Sequence, residues 1–537
     1  MLSAVVLILV GCSGGASQPT PSDQQTTSDD LLVTTPEATG EVDSFTWNLP
    51  FGEPTSLDPI KSYYYSENTV LSNVCEGLLR VNPDGSYGRA LAESFSRPDP
   101  VTWVYKIRSG VRFWDGSPLT ADDVVFSLNR HKDPKLGSYY HLPWGSYLRE
   151  VRKTGPVEVT VKTVQPESVI NAMMATGLGT IAKADHIRAK GDAFGTAKGG
   201  LMCTGPFKLD RWDSGREISL VRNDDYWDQD HRAHADRVVF KFITDAATLT
   251  NALISGQIDG TYEAPVSGVD QLRRASTGKL YLGRSLQAFE LYPTGTGPTG
   301  NLKVRQAISL AIDRQAIAST VYSGAATPLK SIFVPGPFAY GTDILQKSYD
   351  AIPEPKVDLD AARRLVAEAG SPAAPIASVV QAGDAASLQV MNAIADAGRK
   401  IGLRFTVRQL PPPDFISIFF DPAARRGIDL VVSPLYFDVP DPLWVFNVGL
   451  LPGSVQNFQN YANPRVIKLI TDALATDDDS KRAILAAEAM RQVDRDLVTI
   501  PIVAPPQRLF MSNRLTGAPA AFPYLYYPWA ADIGAPG

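Results

Sequence analysis

Gly295-Thr296-Gly297-Pro298-Thr299-Gly300 has the spacing of a loop that cradles phosphate, and it lies between a strand-like Phe289-Glu290-Leu291-Tyr292 and a helix. A dinucleotide site needs backbone N–H groups turned toward the pyrophosphate, which Pro298 lacks, and three further residues separate the loop from the helix. A nucleotide site is not expected there. Nucleophilic catalysis finds no better footing, because there is no Gly-x-Ser-x-Gly elbow and the five histidines, 131, 141, 186, 231 and 234, have no surroundings of a general base. His231 and His234 fall in a polar, turn-like stretch and read as a solvated pair. Asp477-Asp478-Asp479 lacks the glycine and spacing of a calcium loop and reads as a helix edge or loop. No Cys-x-x-Cys or Cys/His spacing suggests zinc, so no metal site and no cofactor are expected.

The elements that must position any site are those of a mixed α/β chain. Short strand-like runs such as Phe45-Thr46-Trp47-Asn48-Leu49 and Val157-Glu158-Val159-Thr160-Val161 alternate with helical patterns. Thr120 with Asp123 three residues on is a capping-box pattern that starts a helix. Val304, Ala307, Ile308, Ala311 and Ile312 form a one-sided helical stripe, and Leu359 to Ala369 repeats it before Gly370 and Pro372 end it. Asp429 to Pro434 reads as a buried strand opening into an aromatic, acidic loop, the kind of place where open α/β sheets hold ligands.

With 51 Lys+Arg against 57 Asp+Glu, a net charge of −6 leaves no footprint for polyanions, so nucleic acid is not expected as a partner. The 537 residues allow several structural units. Residues 1–12 form an apolar run too short to span a bilayer, and Leu9-Val10-Gly11-Cys12 resembles a bacterial lipobox, with Cys12 as the lipidated first mature residue. Residues 13–43 begin with a Ser, Thr, Gly, Pro, Gln and Asp-rich stretch and are expected to be a flexible tether. Cys75 and Cys203 remain as an even pair in an exported chain, either a disulfide or two buried thiols.

Several blocks occur in a fixed order: Ser56-Leu57-Asp58-Pro59, Glu76-Gly77-Leu78-Leu79, Leu91-Ala92-Glu93-Ser94-Phe95, Arg108-Ser109-Gly110-Val111-Arg112-Phe113-Trp114-Asp115-Gly116-Ser117-Pro118-Leu119-Thr120-Ala121-Asp122-Asp123-Val124, Thr204-Gly205-Pro206-Phe207, Asn223-Asp224-Asp225-Tyr226-Trp227 and Val304-Arg305-Gln306-Ala307 through Asp313-Arg314. Together they closely resemble the family 5 extracytoplasmic solute-binding proteins, the dipeptide, oligopeptide and nickel-binding components of ABC importers, over roughly residues 45 to 515. The resemblance implies a two-lobe, type II periplasmic-binding-protein-like α/β fold of the large class, with an extra subdomain and a hinge, that traps ligand without transforming it. Lobe one is placed at 44–275 with an insertion at about 76–205, lobe two at 276–495, and the return to lobe one at 496–537.

The resemblance also implies a site. In peptide-binding relatives an Asp after a strand pairs with the peptide α-ammonium, and Asp438 has that place and its spacing to Asp441-Pro442; a desolvated ammonium needs such a carboxylate. Leu435 stands where relatives often carry Trp, leaving Tyr436 and Phe437 as the aromatic wall, while Phe51, Gly52 and Glu53 are candidates for the lobe-one wall. Val379 to Asp384 offers no Arg to clamp a ligand carboxylate, which favours longer peptides held through backbone hydrogen bonds over a strict dipeptide. The implied partners are short peptides and the permease and ATPase subunits of an importer, with the binding protein a monomer, lipid-anchored on the outer face of the bacterial plasma membrane. Haem or a metal chelate is the alternative ligand.

Overall fold

The computed structural model describes residues 31–537 apart from Tyr63, Pro335 and Pro337. The expected leader 1–12, Cys12 and the first part of the expected tether therefore lie outside the described residues. The expected tether does not reach residue 43: the Leu32 N–H bonds to Leu282 O at 2.9 Å, the Thr35 N–H to Ala518 O at 2.9 Å and the Thr39 N–H to Ala535 O at 3.1 Å. Polar composition hides this because the stretch is held by its backbone, which any side chains permit.

Lobe one is built on a seven-stranded sheet in the order Phe207–Asp213, Glu217–Arg222, Ala235–Lys241, Val42–Asn48, Gly260–Tyr262, Gln507–Ser512, Gly278–Gly283. In Val42–Asn48 the side chains alternate, and Phe45 and Trp47 are buried against Trp529 of the C-terminal tail, the two indoles 4.7 Å apart. Gly260 allows this strand to approach, since a Cβ there would meet the Trp47 ring at 2.2 Å.

Lobe two carries a six-stranded sheet in the order Thr327–Pro328, Ile500–Ala504, Gln287–Pro293, Leu430–Tyr436, Ile376–Gln381, Phe405–Leu410. Leu430, Val431 and Val432 are wholly buried, as a central strand covered on both faces requires. The helix Leu302–Ala311 buries Val304, Ala307, Ile308 and Ala311, the stripe read from the sequence.

The chain crosses between lobes twice, at residues 284–286 and 505–506. Both crossings lie later than the boundaries expected after 275 and after 495. Gly278–Gly283 still pairs antiparallel with Gln507–Ser512 in lobe one, and Ile500–Ala504 still pairs with Gln287–Pro293 in lobe two. A strand that changes sheets is decided by its partner, which local pattern does not name.

The insertion in lobe one has its own antiparallel sheet, Ala92–Asp99, Thr102–Ile107, Glu158–Thr163 and Leu148–Gly155, backed by the helix Ala121–Arg130. That helix opens with the capping box, the Thr120 hydroxyl accepting from the Asp123 N–H and the Asp123 carboxylate accepting from the Thr120 N–H. Cys75 and Cys203 are joined by a disulfide, Cα to Cα 5.0 Å, where the chain enters and leaves the insertion. Beside it the buried Glu76 carboxylate accepts from the Thr204 hydroxyl at 2.6 Å, the Tyr226 hydroxyl at 2.8 Å and the Trp227 indole at 3.0 Å. Three of the resemblance blocks thus close the neck of the insertion.

Candidate ligand-binding site

Asp438 follows the last residue of Leu430–Tyr436 by two positions, and the helix Pro442–Gly449 begins just beyond it. Its side chain is buried, with the residue 3% exposed, and its Oδ1 accepts a short hydrogen bond from the Tyr526 hydroxyl. Burial pushes the carboxyl up to about 6, while the Tyr526 hydroxyl and the Trp444 indole oppose the rise; no cation is among the groups that act on it. A buried carboxylate with a hydroxyl donor and a nearby indole but no counter-charge is arranged to receive one.

Aromatic rings from both lobes surround this carboxylate. Tyr436 meets Tyr65 of lobe one edge-on at 5.1 Å and Phe522 of the tail at 5.1 Å. Phe437 packs edge-on against Trp444 at 5.5 Å, and its N–H bonds across the hinge to Leu286 O at 3.0 Å. Tyr140, from the insertion, is near enough to feel the Asp438 charge, and its hydroxyl donates to Ser62 O at 3.2 Å. The wall therefore has contributions from lobe one, its insertion, lobe two and the tail.

The three lobe-one candidates separate. Phe51 is 42% exposed at the rim and stacks on Tyr65 at 4.7 Å, which links it to Tyr436 through a shared ring. Gly52 makes the turn that presents it, with φ +92° and its N–H bonded to Leu49 O at 3.1 Å. Glu53 does not join the wall: its carboxylate accepts from the Trp212 indole at 2.6 Å and from the Gly215 N–H at 2.8 Å, both on the hairpin of lobe one. A nearby pair of donors in the same lobe captures an acid that sequence proximity had assigned to the cleft.

Asp441 is the loop former. It accepts from the Leu443 N–H at 2.9 Å to cap the following helix, from the Tyr340 hydroxyl at 2.8 Å, and pairs with Arg482 at 3.4 Å. Tyr65, Tyr140, Trp444, Phe522 and Tyr526 were not read as site residues; the tyrosine run at 63–65 and the aromatic run from Phe522 to Tyr527 were the available signals. The glycine-rich loop closes on a carboxylate, since a Cβ at Gly297 would strike Asp429 Oδ1 at 2.2 Å, the wrong charge for a phosphate site. His231 Nδ1 lies 2.9 Å from Asp228, and Asp478 caps the helix Asp479–Asp496. Among the described residues no group of three His, Cys, Asp or Glu could hold a metal ion.

The same organisation recurs in known proteins. Over 483 residues, 84% of this chain and 85% of its relative, the sequence is 26% identical to the periplasmic oligopeptide-binding protein OppA of Salmonella typhimurium. The periplasmic binding protein DppA of Helicobacter pylori, solved in complex with the peptide STSA, superposes with a TM-score of 0.79 at 19% identity, covering 93% of this chain and 98% of that one. AgaA of A.tumefacien R10, solved with agropinic acid, gives 0.79 at 22% identity over 92% and 99% of the two chains. The fold is thus the two-lobe type II periplasmic-binding fold, and the sequence model of the bacterial extracellular solute-binding proteins, family 5, matches residues 87–457. That match spans well over half the chain, which belongs to the family 5 bacterial extracellular solute-binding proteins.

Proposed function

We propose that this protein captures short peptides outside the membrane and hands them to the permease of an ABC importer, with the Asp438 carboxylate receiving the peptide α-ammonium. The observation that carries the reading is the buried Asp438 side chain, which faces a hydroxyl donor, a nearby indole and no cation at an aromatic junction of the lobes. An ammonium removed from water there is matched by a carboxylate already desolvated, so neither charge is left alone. The rings of Tyr65, Tyr436 and Phe522 supply flat apolar walls for side chains. The oligopeptide-binding relative in Salmonella typhimurium supports the ligand class. Closure is a population shift, driven by the contacts ligand makes with both lobes together.

The proposal includes a lipid anchor on Cys12, which would hold the protein at the outer face of the plasma membrane as a monomer with no cofactor of its own. Mass spectrometry of what the freshly purified protein releases on denaturation tests the ligand class. A set of short peptides is the expected result, and haem or a nickel chelate without peptide would overturn it. Asp438→Ala should abolish peptide affinity while leaving the circular dichroism spectrum intact.

A further inference from the structure

Near Asp438, lobe two has a pocket, partly open to solvent, of about 600 Å3 walled by Leu435, Phe437, Trp444, Val448, Leu450 and Phe458. Phe437 precedes Asp438 in the chain and Trp444 acts on its carboxyl, so two of the pocket's lining residues adjoin the ammonium site. Its lining is mostly apolar, with Glu290, Gln456, Gln459 and Thr499 among the polar exceptions. Glu290, in the strand Gln287–Pro293, is 4% exposed, and its Oε1 has no hydrogen-bond partner among the described residues.

A second acid lies within electrostatic reach of Glu290. Asp494 accepts through Oδ1 from the Ser331 hydroxyl at 3.0 Å and from the N–H of Ile332, itself a lining residue, at 3.3 Å; its Oδ2 has no partner among the described residues. Burial pushes Glu290 up to about 8, with the Asp494 charge adding to the rise and the Thr499 and Tyr292 hydroxyls opposing it, and no cation is among the groups that act on Glu290. Burying two carboxyls with an unpaired oxygen each is costly, and apolar residues would pack the space better. A largely apolar pocket holding a buried carboxyl with no cation of its own fits a group with a methylene stem and a cationic head.

We infer that this cavity receives the long basic side chain of a bound peptide, a lysine or arginine, with its stem along Leu435, Phe437 and Val448 and its head at Glu290. The inference rests on peptide being the ligand. It makes Glu290 a specificity-determining residue, distinct from Asp438, which reads only the α-ammonium.

The test is titration calorimetry on the ligand-stripped protein with alanine-based tripeptides and pentapeptides carrying either lysine or norleucine at each of the first three positions. Norleucine keeps the stem and deletes the ammonium. At one position lysine should bind about tenfold or more tighter than norleucine, and Glu290→Gln should bring that ratio to within about twofold. Norleucine binding as well as lysine at every position, or a lysine preference that survives Glu290→Gln, overturns the inference. Binding of the all-alanine peptides reports on the peptide reading by itself, so loss of the lysine preference alone leaves that reading standing. If no peptide binds, both fall.

Discussion

The Tyr526 hydroxyl, on the tail that returns to lobe one, donates to Oδ1 of Asp438 on lobe two. One hydrogen bond thus joins the candidate ammonium receptor to the opposite side of the cleft. Burial raises the Asp438 carboxyl to about 6 and Tyr526 opposes that rise, so its protonation lies within reach of experiment.

Pairing with an ammonium requires Asp438 ionised, so affinity for a short peptide should be full near pH 7 and fall as the pH drops through about 6. One pH unit below that midpoint the loss is about tenfold. Tyr526→Phe removes a donor to the carboxylate and should move the midpoint to higher pH, and Asp438→Asn should abolish the dependence together with most of the affinity. Peptide Kd measured from pH 5 to 7.5 checks all three.

Glu167 of the insertion accepts from the Asn447 side-chain amide of lobe two through both oxygens, at 3.2 Å each, and burial raises its carboxyl to about 8. A folded-state value above the unfolded one means the protonated form stabilises, fully below about 4.5, and that stabilisation is lost as the pH rises toward about 8. Glu167→Gln keeps an uncharged acceptor and should flatten the fall in Tm between pH 5 and 8, so a slope unchanged from wild type would exclude the assignment.

Arg97 of the insertion bonds to Asp477 and, at 3.1 Å, to Leu474 O, both on lobe two. Arg97→Ala removes these ties, and the population of closed unliganded protein should fall, weakening peptide binding by about threefold to tenfold. Small-angle scattering should show a larger radius of gyration for the unliganded variant, and equal radii would show that Arg97 does not hold the lobes together.

Cys75 and Cys203 are 128 residues apart in sequence, and their bond closes the neck of the insertion. Cross-linking so long a loop stabilises chiefly by restricting the unfolded chain, by about 2 to 5 kcal/mol. Replacing both with alanine should lower Tm by several degrees, and a denaturant midpoint equal to wild type would exclude that contribution.

Features set by a few neighbouring residues were legible in the sequence. The Thr120–Asp123 cap and the buried stripe from Val304 to Ala311 depend on hydrogen bonds and side-chain spacing within one or two turns of chain. The place of Asp438 after a buried strand was legible too, because an unbroken run of Leu430, Val431 and Val432 marks a strand covered on both faces.

The sequence by itself determined the helices that flank the sheets and the acid after the buried strand, since each is written in local pattern, while its ordered blocks carried the resemblance that implied two lobes. Only the tertiary structure decided which strands share a sheet at the hinge, that Cys75 meets Cys203, that Glu53 is held by the Trp212 hairpin, and that Tyr526 reaches Asp438 across 88 residues. The same holds for Glu290, an ordinary polar position in a strand pattern until the helix Pro442–Gly449 and residues 456–459 line a mostly apolar pocket with it. Such pairings are chosen by which surfaces meet when the chain folds back on itself, and burial, which turns a carboxyl into a receptor, exists only once they have met.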